Sequence, residues 1–423
     1  MRVRVVAASA VTGAALTLAS VGAAQPASAA PSQCLASEAD IYAAAPASID
    51  GDPGDLLACR QVTLPGVGGV RAKAWKVRYV TTDVKDAKTV ATGFVAVPEA
   101  AWTKSGSRPV VAFHPGTSGL GPQCAFSKQM TGAYVDHYEG PNVAEFLKAG
   151  FAVAAADGPG YIDGKVHTYM VGQSAGKAVL DIARTSRQIP GGSLRSDGKV
   201  GIAGYSEGGQ AALWAAQLAA SYAPELQVAG AAAGGVPGDL KVTAERLNGG
   251  LFAGFAADAL VGHNAAYPDM PFDELMNDKG AKAVQDAKRL CLFGTLGRFL
   301  GARVENLTKD KLTLDQIWQL RGPDGTWGEL ADRSKLGVDI GAPGSSATYQ
   351  IGFPVFQYRG ALEEIIPTET EDATRAAYCK AGINTTWNKS YVGEHLLTDW
   401  LAAGDVTRFL NDRFEGKPVT GNC

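Results

Sequence analysis

One pentapeptide, Gly204-Tyr205-Ser206-Glu207-Gly208, most constrains how this chain can fold. An apolar, strand-like run at 200–203 precedes it, and an alanine-rich helical pattern follows from Gly209 to about Tyr222. A serine on such a sharp strand-to-helix turn needs glycine on both sides, because a Cβ there would collide with neighbouring backbone. The turn exposes the hydroxyl and directs the next backbone N–H and the positive helix end towards it. We therefore expect Ser206 to be a nucleophile, the alternative being an ordinary turn in a chain with 52 glycines.

The N-terminal segment has the pattern of a secretion signal. Arg2 and Arg4 precede an apolar stretch at 5–21, and Pro26-Ala27-Ser28-Ala29 offers an Ala-x-Ala cleavage site. We expect a signal peptide at 1–29 and a secreted, extracellular mature chain starting at about Ala30. No twin-arginine pair is present, which favours the general secretion route. No other stretch approaches the ~18 uninterrupted apolar residues that span a bilayer, so we expect no stable membrane anchor.

The charge balance excludes one class of partner. Removal of Arg2 and Arg4 changes the formal charge from −3 to −5, because no acidic residue lies before residue 30. A mildly acidic secreted protein without a basic cluster is not expected to bind nucleic acid. The sequence also has no C-x-x-C motif or His/Cys cluster, so we expect neither a metal nor another cofactor.

The mature chain keeps an even number of cysteines, which favours disulfides in a secreted protein. The six are Cys34, Cys59, Cys124, Cys291, Cys379 and Cys423. They allow fifteen pairings, so the connectivity is open. We expect bonds between consecutive cysteines, namely Cys34–Cys59, Cys124–Cys291 and Cys379–Cys423. The alternative is that one or two are free, buried thiols.

Short apolar strands alternate with helical patterns along most of the chain. After a loop-rich start, strands are expected at 72–81, 89–97, 109–113, 151–156, 200–203, 228–233, 353–358 and 385–392, and helices at 174–187, 209–222 and 396–414. Such alternation predicts an α/β fold with a mostly parallel central sheet flanked by helices. Residues from about 240 to 345 interrupt it and are too many for a loop, so we expect an inserted, mainly helical cap within one domain at 30–423.

A serine nucleophile needs a base, and in this architecture the chain order is Ser, acid, His. Two histidines follow Ser206. His263 lies in the expected cap, whereas His395 follows the last strand, where a base at the top of the sheet belongs. His395 is therefore the expected base, the alternative being a surface residue at a helix N-terminus.

The acid is expected in the loop after the preceding strand. Gly360 is followed three residues later by Glu363, which we favour, with Glu364 as a solvated neighbour. Asp399 is a further alternative one helical turn beyond His395, although a helix surface charge is the more ordinary role for it.

The oxyanion hole should combine two backbone N–H donors. One is that of Glu207, whose carboxylate would then point to solvent. The other is sought in the loop His114-Pro115-Gly116-Thr117. Because proline has no N–H, the donor there would be Gly116 or Thr117, and His114 would shape the loop.

Two further segments have open roles. Asp157, at the end of a strand, either braces these loops or belongs to a plain turn. The apolar run 251–261 either lines an acyl pocket, forms a lid, or packs inward as an ordinary helix.

These motifs together resemble the secretory lipase family of the α/β-hydrolase superfamily, which includes Candida antarctica lipase A-like enzymes and related actinobacterial lipases. The resemblance is carried by 114–117 with Cys124 downstream, 157–160, 204–209, 360–367 and 393–395, across nearly the whole mature chain. It implies hydrolysis of triacylglycerols and simpler esters without a metal, under a helical cap. It also supports Cys124–Cys291 and Cys379–Cys423 as bridges.

The chain departs from the family pattern at two places. The family usually has Asp where we expect Glu363 to act. The loop at 114–116 reads His-Pro-Gly where relatives often have His-Gly.

The sequence therefore predicts a secreted serine carboxylester hydrolase, a triacylglycerol lipase or esterase acting through an acyl-enzyme. Its substrate would be a lipid or another ester, reached at a lipid–water interface. The alternatives are a secreted α/β-hydrolase peptidase and a non-catalytic binding protein on the same fold.

Overall fold

A computed structural model describes residues 1–2, 30–65, 67–132 and 135–423 of the chain. The predicted signal peptide at 1–29 lies outside the described residues except for its first two. Among the residues described, no helix is both long and apolar enough to cross a membrane.

A nine-stranded sheet forms the centre of the described chain. Its strands are β1 (Leu56–Val62), β2 (Ala72–Thr82), β3 (Lys88–Pro98), β4 (Val110–His114), β5 (Ala152–Pro159), β6 (Val200–Tyr205), β7 (Val228–Gly234), β8 (Val355–Gly360) and β9 (Thr385–Tyr391). They lie in the order β1-β2-β3-β5-β4-β6-β7-β8-β9. The strands from β4 to β9 are mutually parallel, and β1 to β3 add an antiparallel edge. The predicted mostly parallel sheet is confirmed.

Helices cover both faces of this sheet. Those outside the insertion are α1 (Glu38–Tyr42), α2 (Phe126–Met130), α3 (Gly140–Lys148), α4 (Gly172–Ser186), α5 (Glu207–Tyr222), α12 (Thr368–Lys380) and α13 (His395–Phe414), with a 3-10 turn at Pro122–Cys124. Side chains alternate between two cores: Ala112 packs with α4 and α5, while Val111 and Phe113 pack with α3 and α13. Because both faces are buried there, the central parallel strands β4, β6 and β7 read as nearly continuous apolar runs, whereas the edge strand β9 does not.

The segment between β7 and β8, all of it described, is mainly helical. It contains α6 (Leu240–Leu247), α7 (Ala253–Ala266), α8 (Asp278–Ala287), α9 (Leu292–Arg298), α10 (Leu314–Gln319) and α11 (Trp327–Asp332), 3-10 turns at Asp273–Leu275 and Val304–Asn306, and two-residue strands at Arg321–Gly322, Gly325–Thr326, Ile340–Gly341 and Tyr349–Gln350. We call residues 240–345 the helical insertion. Its apolar side chains form their own core, which Tyr169 and Met170 join from the main domain.

The expected loop-rich start is partly wrong, because it contains α1 and β1. β1 is an edge strand that pairs with β2 and is bridged at Arg60 to Leu35, and its exposed residues obscure the alternation that marks a strand. Helix α1 has only five residues, too few for an apolar helical repeat to be recognised, although Ser37 and Asp40 form a capping box at its start.

All three expected disulfides are present: Cys34–Cys59, Cys124–Cys291 and Cys379–Cys423. The second crosses from the segment after β4 to the start of α9. It therefore ties the helical insertion to the main domain beside the loop that follows β4.

Candidate active site

Ser206 lies between the last residue of β6 and the first of α5, in a backbone conformation that few L-residues adopt (φ 57°, ψ −120°). A Cβ on Gly204 would lie 2.1 Å from the carbonyl oxygen of Gly208, and one on Gly208 would lie 2.1 Å from that of His114. The two glycines thus allow the elbow to close against itself and against the end of β4. This explains in physical terms the pattern from which the turn was predicted.

The fold brings the expected serine, histidine and acid into one hydrogen-bonded chain. His395, the first residue of α13, places Nε2 2.9 Å from Ser206 Oγ. Its Nδ1 lies 2.8 Å from each carboxylate oxygen of Glu363, in the loop after β8. The His395 and Glu363 side chains are almost fully buried, and Ser206 is also buried. With Nδ1 protonated towards Glu363, Nε2 can accept the hydroxyl proton of Ser206.

Burial and neighbouring charges have opposite effects on the pKa values of Glu363 and His395. Burial favours the neutral form of Glu363, yet the His395 ring and the N–H groups of Ile366 and Ile365 outweigh it and lower the pKa of the carboxyl. Burial would also lower the pKa of His395, but the Glu363 carboxylate outweighs it and raises that pKa above the ordinary histidine value. The arrangement therefore stabilises an imidazolium next to the serine.

The two alternative acids contact other groups. Glu364 accepts the backbone N–H of His395 at 2.9 Å and does not reach the ring. Asp399 is fully buried on α13 and accepts from the side-chain amide of Asn142 at 2.8 Å. The expectation that Asp399 is a helix surface charge is wrong, because α3 packs over this part of α13.

The loop after β4 packs against the elbow, and its amides have different partners. Gly116 N–H donates to a carboxylate oxygen of Glu139 at 2.7 Å, so it is not free to bind an oxyanion in this arrangement. The backbone N–H groups of Thr117 and Glu207 have no hydrogen-bond partner within the part of the chain that the structure describes. His114 donates from Nδ1 to the Pro115 carbonyl at 2.8 Å, as befits a residue that shapes the loop.

Glu139 was not predicted as a site residue. It holds this loop in place by accepting the Gly116 N–H. Burial and the nearby Asp399 raise the pKa of Glu139 well above its ordinary value, and burial raises the pKa of Asp399 to about 7. Two neighbouring carboxyl groups in an apolar interior do not readily ionise together, so the protonated form of one of them is favoured. Nothing local in the sequence marks Glu139, because its two partners are contributed by distant segments.

The Glu207 side chain corrects another expectation. Its carboxylate is buried rather than solvated, and it lies 2.7 Å from Nε2 of His167. The other ring nitrogen, Nδ1, donates to the Pro159 carbonyl at 2.9 Å, and the Tyr161 ring stacks on the imidazole. A hydrogen bond therefore joins Glu207 to His167, and this pair fixes the first turn of α5 to the segment after β5.

Asp157 lies within β5 and connects it to α2 and β3, so the expectation that it braces the loops around the serine or forms a plain turn is wrong. Its carboxylate accepts the backbone N–H of Ser127 at 2.6 Å and the hydroxyls of Ser127 and Thr92 at 2.5 and 2.7 Å. It thereby fixes the segment that carries Cys124. Across the described residues, no group of three or more His, Cys, Asp and Glu side chains is placed to hold a metal ion.

Ser206 opens into a narrow apolar cavity of about 40 Å³, which we call the proximal cavity. The helical insertion contributes α6 and α7 to its wall, and Ile365 and Ile366 close it from the acid loop. Phe255, Ala256 and Ala259 of the apolar run at 251–261 line it, while Leu251 is exposed. That run therefore contributes to the wall of the cavity beside the serine.

Comparison with known proteins agrees with this architecture. The family model described as secretory lipase matches residues 126–422. Lipase 1 of Candida albicans is 32% identical over 66% of this chain and 58% of its own length. A protein of Mycobacterium tuberculosis named as a probable inactive lipase is 28% identical over 66% of this chain and 58% of its own. The chain thus spans less than two thirds of the length of either relative.

The structure of Candida antarctica lipase A in its closed state superposes with a TM-score of 0.76. The two are 24% identical, and the match covers 90% of this chain and 87% of that one. This similarity concerns the fold, and the predicted α/β-hydrolase architecture is confirmed. With its mixed sheet, its helical insertion and a family model that matches more than half of its length, this chain belongs to the secretory lipase family.

Proposed function

We propose that this chain is a secreted serine carboxylester hydrolase, a lipase or esterase whose substrates are lipid esters such as triacylglycerols. One observation carries the proposal: the chain Ser206–His395–Glu363 is complete, with a contact of 2.9 Å from the serine and contacts of 2.8 Å to the acid, and it opens into an apolar cavity. Membership of the family alone would not be enough to propose activity, since one relative is named as a probable inactive lipase.

In the proposed reaction, Ser206 Oγ attacks the ester carbonyl carbon while His395 Nε2 takes the hydroxyl proton. Glu363 stabilises the imidazolium that forms. The carbonyl oxygen becomes an oxyanion, and His395 returns the proton to the departing alcohol as the C–O bond breaks. Water then attacks the acyl-enzyme by the same route and releases the acid.

The oxyanion would be held by the backbone N–H groups of Glu207 and Thr117. Neither N–H has a hydrogen-bond partner within the described residues. The segments that carry them pack against each other, because Gly208 lies against the carbonyl oxygens of His114 and Pro115. The Thr117 hydroxyl, paired with the Tyr169 hydroxyl at 2.7 Å, helps to fix that residue in place. Glu139 accepts the Gly116 N–H and thereby orients the following peptide bond, which carries the Thr117 N–H. It therefore acts as a positioning residue.

The lining of the proximal cavity favours an acyl chain over a peptide. Apart from Ser206, its polar side chains are the neutral Tyr169 and Thr243. Among the residues described, no charged side chain that could pair with a peptide terminus lines it. Secretion is supported by the three disulfides, which persist in oxidising compartments.

The test is hydrolysis of p-nitrophenyl esters from acetate to palmitate and of an emulsified triglyceride by the secreted protein. Ser206→Ala and His395→Ala should each lower kcat/KM by at least about 10³-fold. Ser221→Ala, an exposed serine at the end of α5, is the matched control and should retain activity. Absence of turnover by folded parent protein would favour a binding role, and cleavage of aminoacyl amides but not esters would identify a peptidase.

A further inference from the structure

The residue after the nucleophile brings a carboxyl group close to the proposed oxyanion hole. Glu207 is the first residue of α5, and its backbone N–H is one of the two proposed oxyanion donors. Its side chain is buried, and the carboxyl lies within one side-chain length of that N–H. A negative charge there would repel the charge that develops in the transition state. The oxyanion hole therefore requires this carboxyl to be protonated or paired.

His167 is the side chain that contacts this carboxyl. Its Nδ1 lies 2.9 Å from the Pro159 carbonyl oxygen, which can only accept, so Nδ1 carries a proton. Its Nε2 lies 2.7 Å from a carboxylate oxygen of Glu207. That hydrogen bond needs one further proton, held either by the imidazole or by the carboxyl. In both arrangements the two side chains together carry no net charge.

The other titratable groups around Glu207 do not balance its charge. Among the described residues, the one ion-pair partner of Glu207 is His167. The further side chains that interact with its carboxyl electrostatically come from the end of β4, the segment before α3, the segment after β5, and α7; they are His114, Tyr138, Glu139, Tyr161, Tyr169 and Asp258. None of these is a lysine or an arginine. Burial lowers the pKa of His114, which keeps that ring neutral near pH 7.

The end of β5 leaves room for the His167 ring. Gly158 has a positive φ of 87°, and a Cβ there would lie 2.5 Å from Cε1 of the imidazole. Tyr161 stacks on the ring, with centroids 4.4 Å apart. The glycine-containing motif at 157–160 therefore allows His167 to reach Glu207, and the stacked ring holds the imidazole in that position.

We propose that His167 is a positioning residue of the oxyanion hole: it fixes the Glu207 side chain and balances its charge, so that the backbone N–H of Glu207 can stabilise the oxyanion. This proposal rests on the ester hydrolase function proposed above. His167 does not line the proximal cavity, so it acts through Glu207 and not on the substrate.

Loss of His167 should make activity sensitive to high pH. The Glu207 carboxyl would then be buried without a partner. Burial disfavours the charged form of an unpaired carboxyl, so such a group is protonated at low pH and ionises as pH rises. Once ionised, it opposes the oxyanion and slows the reaction.

The experiment compares pH profiles of kcat/KM for p-nitrophenyl butyrate from pH 6 to 9 in the parent, in His167→Phe and in the double variant His167→Phe with Glu207→Gln. The activity of His167→Phe relative to the parent should fall at least about 10-fold across this range. In the double variant residue 207 cannot ionise, so the same ratio should stay constant within about 2-fold. A constant ratio in His167→Phe, or an equal fall in the double variant, would overturn the inference alone. Absence of turnover by the folded parent would overturn the proposed function with it.

Two further variants separate charge from packing, and thermal unfolding checks that every variant is folded. His167→Gln keeps a hydrogen-bond donor but cannot carry a charge, so at pH 9 it should be at least about 10-fold less active than the parent, even if His167→Phe does not fold. Activity close to that of the parent at pH 9 would show that a hydrogen bond is sufficient and would contradict the proposal.

His263→Phe is the matched control. The His263 ring is also buried, and its Nδ1 also donates to a backbone carbonyl, that of Ala259, at 2.9 Å. Within the described part of the chain, no carboxylate pairs with it. Its pH profile should therefore run parallel to that of the parent, and a fall equal to that of His167→Phe would contradict the role of Glu207.

Discussion

Two adjacent glutamates contact His395, and they bind different parts of it. Glu363 holds the ring through Nδ1, and its Oε1 also accepts two backbone N–H groups of its own loop. Glu364 holds the backbone N–H of the same histidine. The Glu363 side chain, which is one methylene longer than an aspartate, thus reaches the ring from a loop whose backbone N–H groups hold one of the carboxylate oxygens. The sequence leaves open which of the two glutamates is the acid, and the structure distinguishes them by the part of His395 that each carboxylate contacts.

Replacing Glu363 should change both the rate and its pH dependence. Glu363→Gln should lower kcat by roughly 10³–10⁴-fold, because the charge that stabilises the imidazolium is lost. The carboxylate raises the pKa of His395, and catalysis needs this histidine neutral. In the parent, activity is therefore lost as pH falls through a pKa above the ordinary value of about 6.5, and in the variant this loss moves to lower pH.

The measurement is a pH profile of kcat/KM from pH 5 to 9, with Glu364→Gln as the matched control. That variant should lose less than about 10-fold in activity, because its oxygen contacts only the backbone. A larger loss in Glu364→Gln than in Glu363→Gln would show that the acid has been assigned to the wrong residue.

The buried Asp399 should make stability depend on pH. Its folded pKa, about 7, lies above the unfolded value of about 3.9. The stability associated with its proton is complete below the unfolded value and is lost as pH rises through about 7. Asp399→Asn cannot ionise. Relative to the parent, its free energy of unfolding should therefore rise by on the order of 4 kcal/mol between pH 4 and pH 8. Guanidinium unfolding at both pH values measures this, and a pH-independent difference would refute it.

At the scale of elements, the strand–serine–helix turn tolerates side chains larger than glycine poorly. Its glycines face backbone carbonyl oxygens, which cannot move aside as a flexible side chain would. Helix α13 carries His395 at its start and packs along the sheet, so the base is positioned by a long, buried element rather than by a loop. The acid loop and the loop after β4 are then held by hydrogen bonds to their neighbours.

Two glycine-to-alanine substitutions should have opposite effects. Gly208→Ala would place Cβ 2.1 Å from the His114 carbonyl oxygen and should destabilise the protein by roughly 3 kcal/mol or more, with loss of activity. Gly404, within α13, has open space around its Cα, so Gly404→Ala should stabilise by about 0.5–1 kcal/mol. Thermal and denaturant unfolding measure both, and an active, stable Gly208→Ala variant would contradict the tight turn.

At the scale of the whole molecule, the helical insertion and the main domain act together. The insertion supplies most of the wall of the proximal cavity, and the main domain supplies Ser206, Glu363 and His395. The Cys124–Cys291 bond joins the two parts and closes a loop of 167 residues, the longest of the three bridges. It also lies near the loop that carries Thr117, so its integrity should matter to the site as well as to stability.

Removal of this bond should therefore affect stability and substrate range together. The double variant Cys124→Ala and Cys291→Ala should lose about 4–5 kcal/mol, compared with about 3 kcal/mol for loss of Cys34–Cys59. The kcat/KM for palmitate esters should fall more than that for acetate, because only the long chain relies on the insertion wall. Unfolding curves and the ester series measure these effects. An equal loss for both esters would argue against the role of the insertion.

The local sequence pattern was sufficient for prediction wherever the residues that determine a structure lie within one short stretch of chain. The elbow was predictable because its glycines, its serine and the flanking strand and helix patterns lie within one short stretch of chain. The central parallel strands were predictable because burial on both faces leaves them mostly apolar. The chain order after Ser206 then led to Glu363 and His395. The family resemblance supported two of the three disulfides.

Tertiary structure alone revealed the groups whose partners lie far apart in sequence. Gly116 gives its N–H to Glu139, and Glu207 pairs with His167 across 40 residues. Hydrogen-bonding and burial of this kind depend on which segments pack together, and no local periodicity records that. The same reason applies to His263, which was set aside as the catalytic base because of its place in the chain. Only packing between helices buries it and places it with Trp318 on the lining of a small cavity beside α6 and α7.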